Sequence, residues 1–184
     1  LAVARPHKLV RAGDEVELDG SNSISDGHTI VSYEWQFQDG TTASGPKVKR
    51  SYSKPGAYSE ILRVKDSQGN EDVDFAVVHV LAGENTRDYL HPSIHATYYT
   101  TEGIKPGDEV YMKARTFRVQ GGKEHWDFGD GSTGVTCSMN DYASISHHYD
   151  KPGLYIATVT RDSDNGTSAT ARLKIIVESK QSTD

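Results

Sequence analysis

Short runs in which apolar and polar residues alternate dominate this chain. One such run places Val31, Tyr33, Trp35 and Phe37 on the same face of an extended segment. A second run places apolar residues at every other position from residue 169 to residue 177. No long window shows apolar residues at the i, i+3, i+4, i+7 spacing of an amphipathic helix. The pattern therefore predicts short β-strands and no long helix.

Turn-forming dipeptides separate these runs. The Asp-Gly dipeptides begin at residues 19, 26, 39 and 130, and the Pro-Gly dipeptides begin at residues 55, 106 and 152. Glycine and proline punctuation at this density, with β-rich segments between, is typical of an all-β sandwich.

Three motifs occur twice in the same order, which predicts two homologous modules. The segment 13–16, Gly-Asp-Glu-Val, returns at 107–110. The other two pairs are Trp-Gln-Phe-Gln-Asp-Gly with Trp-Asp-Phe-Gly-Asp-Gly, and Tyr-Ser-Lys-Pro-Gly-Ala-Tyr with Tyr-Asp-Lys-Pro-Gly-Leu-Tyr. We expect a fold of two tandem β-sandwich domains. The predicted bounds are residues 1–82 for the first module, 83–92 for a linker, 93–179 for the second module and 180–184 for a tail.

The repeated residues resemble those of the PKD (polycystic kidney disease) domain. The first module carries V-S-Y-E-W-x-F-x-D-G and S-Y-S-K-P-G-A-Y, and the second carries W-D-F-G-D-G and H-Y-D-K-P-G-L-Y. This resemblance covers almost the whole chain. It implies an immunoglobulin-like sandwich of about seven strands per module. It also implies an extracellular, secreted or cell-surface setting and a non-catalytic accessory role, beside a hydrolase domain or within an adhesive surface protein.

Four aromatic residues are predicted to anchor the two cores. Trp35 and Trp126 lie on alternating strands and offer large areas to bury. Tyr58 and Tyr155 follow Pro-Gly turns at the start of a late strand, the position of a tyrosine corner.

Two charges interrupt the late strands. Counting by two from Tyr58 places Glu60 on the inward face, and counting from Tyr155 places Arg161 there. A buried charge is unusual. We therefore expect a β-bulge that changes the register, or a position at a module edge, rather than a buried functional charge.

Composition excludes several classes of protein. The 184 residues carry a net charge of −6, which argues against a nucleic-acid partner. No stretch approaches the roughly 20 apolar residues of a membrane-spanning helix, and the N-terminal ten residues lack a signal-peptide layout. A single cysteine excludes an internal disulfide and a multi-cysteine metal site.

Calcium is one candidate ligand. The resemblance implies that some family members bind Ca²⁺ at a turn containing Asp-x-Asp-Gly, together with an aspartate after the late strand. In this sequence Asp26 and Asp66 match two of these carboxylates, but Ile24 stands where another belongs. Calcium prefers six to eight oxygen ligands. The alternative is that both aspartates are turn residues, with no metal or other cofactor bound.

Exposed tyrosines suggest a second candidate, a carbohydrate or partner contact at Tyr98, Tyr99 and Tyr142. Adjacent residues on a strand face opposite ways, so one of Tyr98 and Tyr99 is expected to be exposed. The core pattern also leaves Tyr89 and Tyr111 unexplained, and Tyr142 ends an insertion at 137–142. Alternatively, these tyrosines cover a sandwich edge or the module junction.

No catalytic motif emerges. The HExxH pattern does not occur among the eight histidines, and His125 and His147 are expected on the strand surface. We predict a non-catalytic accessory module of a larger protein, next to a hydrolase or lyase domain, that acts as a spacer, binds a polysaccharide, or does both. The alternative is a protein-interaction module or adhesive spacer without affinity for glycans, which calcium could stabilise.

Overall fold

A computed structural model describes residues 1–82 and 91–179, which form two compact units divided between His91 and Pro92. The description omits residues 83–90 of the predicted linker, which include Tyr89, and the predicted tail at 180–184. The predicted domain bounds therefore stay a prediction. Within the described ranges all regular structure is β-strand. No helix there could cross a lipid bilayer.

The first unit contains seven strands in two sheets. Their bounds are β1 Lys8–Arg11, β2 Glu15–Asp19, β3 Ile30–Gln36, β4 Thr42–Ser44, β5 Lys47–Ser51, β6 Gly56–Asp66 and β7 Glu71–Leu81. One sheet has the order β1-β7-β6-β3-β4, in which β1 runs parallel to β7 and the other pairs are antiparallel. Strands β2 and β5 form the second sheet, and the core lies between the two.

The second unit repeats this design with seven more strands. Their bounds are β8 Ser93–Tyr99, β9 Glu109–Phe117, β10 Glu124–Asp127, β11 Thr133–Thr136, β12 Ala143–His148, β13 Gly153–Asp162 and β14 Ser168–Val177. One sheet has the order β14-β13-β10-β11 and the other β12-β9-β8, all antiparallel. The fold is all-β, with two tandem sandwich domains, as the sequence predicts.

Each core is built around one tryptophan. Trp35 and Trp126 are each 1% exposed, and their indole N–H groups donate to the carbonyl of Gly45 and the hydroxyl of Thr136, both at 3.0 Å. A buried indole that keeps a hydrogen-bond partner adds apolar area without leaving a polar group unpaired.

The two late-strand tyrosines pack beside the cores rather than inside them. Tyr58 and Tyr155 are half-buried, and their hydroxyls donate to the carbonyls of Lys54 and Lys151, four residues upstream, at 2.8 and 2.9 Å. This is the geometry of a tyrosine corner, in which a side chain ties a late strand to the turn before it.

The expected inward position of Val31 is wrong. The β3–β6 register shifts between Ile30 and Ser32, where the two strands contain a β-bulge. Because of this shift, Ile30 packs against the core and Val31 is 60% exposed.

The expectation that Glu60 and Arg161 sit at a bulge or an edge is also wrong. Strands β6 and β13 keep continuous registers with β7 and β14, and each also pairs on its other side, with β3 and β10. Glu60 is 0% exposed and Arg161 is 7% exposed. Both charges are tolerated because they have hydrogen-bond partners. Glu60 accepts bonds from the backbone N–H of Gln38 at 2.8 Å and from the Tyr52 hydroxyl at 3.0 Å, and Arg161 donates to Glu124.

Candidate functional site

The outward side of the sheet β8-β9-β12 carries the exposed residues Tyr99 and Tyr111, and the exposed Tyr142 immediately precedes β12. Successive residues of a strand point to opposite sides, so the register fixes which residues share this side. Tyr99 pairs with Tyr111, and Tyr111 pairs with Ser146. Farther along, Thr97 pairs with Lys113, and His95 pairs with Arg115. We call this surface the aromatic face; its members are His95, Thr97, Tyr99, Tyr111, Lys113, Arg115, Phe117, Tyr142, Ser144 and Ser146.

The three predicted contact tyrosines do not all lie here. Tyr99 and Tyr142 belong to the aromatic face and are 52% and 38% exposed. Tyr98 points inward, packs against the core and donates its hydroxyl to the Lys174 carbonyl at 2.7 Å. Burial raises the pKa of Tyr98. Tyr98 therefore supports the sandwich, and Tyr111, 50% exposed, takes its place on the face.

Tyr142 reaches across the face from the start of β12. Its hydroxyl lies 2.8 Å from Nδ1 of His95 on β8, and the two rings meet edge to face with centroids 5.8 Å apart. Strand β9 lies between β12 and β8, so this contact passes over β9. The hydrogen bond sets the position of an exposed aromatic ring before any ligand binds.

The insertion that leads to Tyr142 is fixed at its base. Ser138 is 3% exposed, and its amide and hydroxyl donate to Glu124 at 2.8 and 2.6 Å. Arg161 donates to the Ser138 carbonyl at 2.8 Å. The exposed Cys137 and Met139 flank this anchor.

Two cations lie in the middle of the aromatic face, held by rings. The Lys113 ammonium is 4.7 Å from the centroid of Tyr99, and the Arg115 guanidinium is 4.9 Å from the centroid of Phe117. Both distances fit a cation–π contact. In residues 1–82 and 91–179 neither cation forms an ion pair with a carboxylate.

Glu109 is the acidic residue of β9 and lies at the end of the face. Hydrogen bonds from Tyr111 and Ser146 hold its pKa below the usual value. The bond to Glu109 also raises the pKa of the Tyr111 phenol.

The first unit shows what the same surface looks like without aromatic residues. The repeats align Glu17 with Tyr111 and Asp19 with Lys113. Opposite them on β5 lie Lys49 and Lys47. The ion pairs there are Lys49–Glu15 at 2.7 Å, Lys47–Asp19 at 2.9 Å and Lys47–Glu17 at 3.5 Å. The fold therefore does not require exposed tyrosines at these positions.

The predicted calcium residues share a cavity of about 180 Å³ but do not fit a calcium ion as they stand. Asp26 is exposed, whereas Asp66 is 4% exposed and already accepts bonds from Ser25, Gln68 and Asn70. Bonds from Asn70 and then Ser25 hold the pKa of Asp66 well below its usual range. In the described part of the chain no three His, Cys, Asp or Glu side chains come close enough together to hold a metal. Asp66 organises a turn in this structure.

His147 is more enclosed than expected for a surface strand residue. Its ring stacks on Phe128 with centroids 4.2 Å apart and meets Tyr149 edge to face. Nε2 of His147 lies 2.6 Å from Asp130 and 3.4 Å from the Ser132 hydroxyl. Because serine and aspartate contact the same ring nitrogen, the three residues lack the geometry of a catalytic triad, in which the two partners occupy different nitrogens.

The two units are immunoglobulin-like β-sandwich modules in tandem. Comparison with known proteins assigns the family: the PKD domain matches residues 1–80 and 95–177, and the chain belongs to it. A PKD domain is a non-catalytic accessory module, so this chain is not itself an enzyme.

The relatives are much longer proteins. The chain is 30% identical over 80 residues to Collagenase ColA of Clostridium perfringens, which covers 44% of the chain and 7% of that protein. It is 32% identical over 99 residues to the pre-pro-metalloprotease PrtV of Vibrio cholerae serotype O1, which covers 52% and 11%. The crystal structure of the PrtV PKD1 domain aligns at 26% identity and a TM-score of 0.37, covering 47% of this chain and 96% of that one. The chain is thus an accessory module of the kind found within larger proteins.

Lys113 and Arg115 are the two charged residues of the face that sequence reasoning missed. Counting by two from Tyr111 along the alternating run 109–117 reaches both, so the signal was present. It could be used only once the register had shown that Tyr111 points outward.

Proposed function

We propose that this chain is part of a larger extracellular protein and that its second unit binds polysaccharide through the aromatic face. Sugar rings present apolar C–H surfaces that pack on exposed aromatic side chains, with polar groups nearby for hydrogen bonding. The observation that carries the proposal is the placement of Tyr99, Tyr111 and Tyr142 on one side of one sheet, each 38–52% exposed.

The rigid placement of these rings supports the proposal. Tyr99 and Tyr111 lie within paired strands, and the hydroxyl of Tyr142 is bonded to His95. Side chains that are already ordered lose little conformational entropy on binding. Thr97, Ser144 and Ser146 add hydroxyl groups between the rings, as a sugar ligand requires.

The test is affinity electrophoresis of the full chain in gels containing soluble polysaccharides, with pull-down on insoluble ones. We expect retardation by at least one polysaccharide, weakened about tenfold or more by Tyr99→Ala or Tyr111→Ala. Tyr98→Ala is unsuitable, because this side chain packs against the core.

Ile176→Ala is the matched control, since Ile176 is 51% exposed on the other sheet of the same unit. Retention should be unchanged in this variant. Retention that survives Tyr99→Ala and Tyr111→Ala would place binding elsewhere, and the absence of retention on every polysaccharide would overturn the proposal.

A second candidate, binding to a structural protein, is favoured by the relatives. Several are named collagenases and one a metalloprotease, proteins that act on other proteins. Pull-down on insoluble collagen beside the polysaccharides separates the two. Retention on collagen alone, reduced by Tyr99→Ala, would assign the aromatic face to a protein partner.

A further inference from the structure

We propose that the aromatic face selects acidic polysaccharides, those that carry carboxylate or sulfate groups, over neutral ones. This inference rests on the proposed function, because it names the class of ligand for the same face. It starts from a contrast in charge. The chain as a whole is acidic, at −6, yet the centre of this face carries Lys113 and Arg115.

These two cations are available to a ligand. Both are held against rings, and in the described part of the chain no carboxylate pairs with either. The acid of β9, Glu109, is the first residue of the strand, four positions before Lys113 and opposite His148 on β12. Asp141 lies on the insertion beside the face, where it accepts a bond from the Tyr142 amide at 2.7 Å.

The spacing of the cations suits a charged chain molecule. Lys113 and Arg115 are two residues apart on β9, so they lie side by side along the strand, roughly 7 Å apart at their Cα atoms. Tyr99 and Tyr111 lie at one end of this pair, and Phe117 and Tyr142 at the other. An acidic polysaccharide lying along β9 could stack its rings at the two ends and pair its anionic groups with the two cations between them.

The first unit strengthens this assignment. At the aligned positions Asp19 and Lys47 pair with each other at 2.9 Å, which neutralises both charges. In the second unit Lys113 occupies the position of Asp19, and Ser144 occupies the position of Lys47. The second face therefore has two outward cations without the acidic partners that neutralise the first.

The test compares how far the full chain migrates in gels that contain different polysaccharides. The acidic ones are alginate or polygalacturonate (carboxylate), chondroitin sulfate (carboxylate and sulfate) and carrageenan (sulfate only). The neutral ones are galactomannan and mixed-linkage glucan. We expect stronger retardation by the acidic polymers, and a roughly tenfold loss of affinity for them in Lys113→Gln/Arg115→Gln. Binding should also weaken as salt increases. The carboxylate and sulfate gels show which anion the face prefers.

Lys123→Gln/Lys151→Gln is the matched control. It changes the net charge by the same amount at exposed lysines away from the face. Equal loss in this control would mean attraction to overall charge and would overturn the inference. Retention on neutral polymers that is unaffected by Lys113→Gln/Arg115→Gln would overturn the charge preference but leave polysaccharide binding standing. Retention on none of the polymers would overturn both proposals.

Discussion

The guanidinium of Arg161 lies 2.7 Å from the carboxylate of Glu124, and this ion pair is buried inside the second unit. It joins β13 to β10, and Arg161 also donates to the Thr116 hydroxyl on the opposite sheet at 2.7 Å. Burial alone would raise the pKa of Glu124, but hydrogen bonds from Ser138 and Arg161 outweigh it and lower the pKa.

Removing one member of this pair should strongly destabilise the protein. Glu124→Gln leaves the charge of Arg161 uncompensated, and we expect a loss of about 3–5 kcal/mol in the free energy of unfolding. Glu15→Gln is the control, because the Lys49–Glu15 pair has the same 2.7 Å separation but is exposed, and we expect a loss below about 1 kcal/mol. Urea denaturation of both variants measures the difference. Equally small losses in the free energy of unfolding of both variants would show that the buried ion pair does not stabilise the protein.

Trp35→Ala should leave a cavity in the first core. Trp35 is 1% exposed, and truncation of such a side chain lowers the free energy of unfolding by about 3–5 kcal/mol. Val31→Ala on the same strand is the control. Because the bulge turns Val31 outward, we expect its loss to stay within about 0.5 kcal/mol. A large effect of Val31→Ala in thermal or urea denaturation would contradict the bulge.

Low pH should destabilise the second unit, because Asp130 becomes protonated. Burial would raise the pKa of Asp130, but hydrogen bonds from Ser132 and His147 outweigh it and hold the pKa at about 2. An unfolded aspartate has a pKa of about 3.9. The folded pKa is the lower one, so the stabilisation is complete above about pH 5 and is lost as the pH falls from about 4 to 2.

Urea denaturation of Asp130→Asn between pH 5 and pH 2.5 tests this expectation. The variant should be less stable than wild type at pH 5, and the gap should narrow towards pH 2.5. Asp150→Asn, a change at an exposed position, should follow the wild-type curve. A gap between Asp130→Asn and wild type that is constant with pH would contradict the assignment.

Calcium should not stabilise the first unit. Asp66 already accepts hydrogen bonds from a serine hydroxyl, two backbone amides and an asparagine amide. A ligand that binds only the native state raises the melting temperature. We expect scanning calorimetry with millimolar Ca²⁺ and with chelator to give the same value. An increase that Asp26→Ala abolishes would establish a site at this turn.

The repeated motifs were sufficient to predict the fold. Turn dipeptides and tryptophan-bearing strands are local signals, and two copies in one order made them specific. The bulge was hidden because Ile30 and Val31 are both apolar, so either could occupy the inward position. The choice between Tyr98 and Tyr99 was equally undetermined, because adjacent tyrosines give no indication of which faces the core.

The buried charges lay beyond sequence reasoning for another reason. Glu124 and Arg161 are 37 residues apart, and neither segment alone indicates the other. Alternation predicts that Arg161 points inward. A charge at an inward position needs a partner of opposite charge, and that partner comes from a neighbouring strand that the local sequence does not identify. That is why a bulge was expected in its place.

The alternation of β8, β9 and β12 has an evolutionary consequence. Met112 and Ala114 face the core, whereas Tyr111, Lys113 and Arg115 face out. Residues that determine folding and residues that meet a ligand thus occupy separate positions of the same strand. Outward side chains of such a strand can therefore change without removing an inward contact, and the ion-paired and aromatic sheets of this chain are two different outward surfaces on one fold.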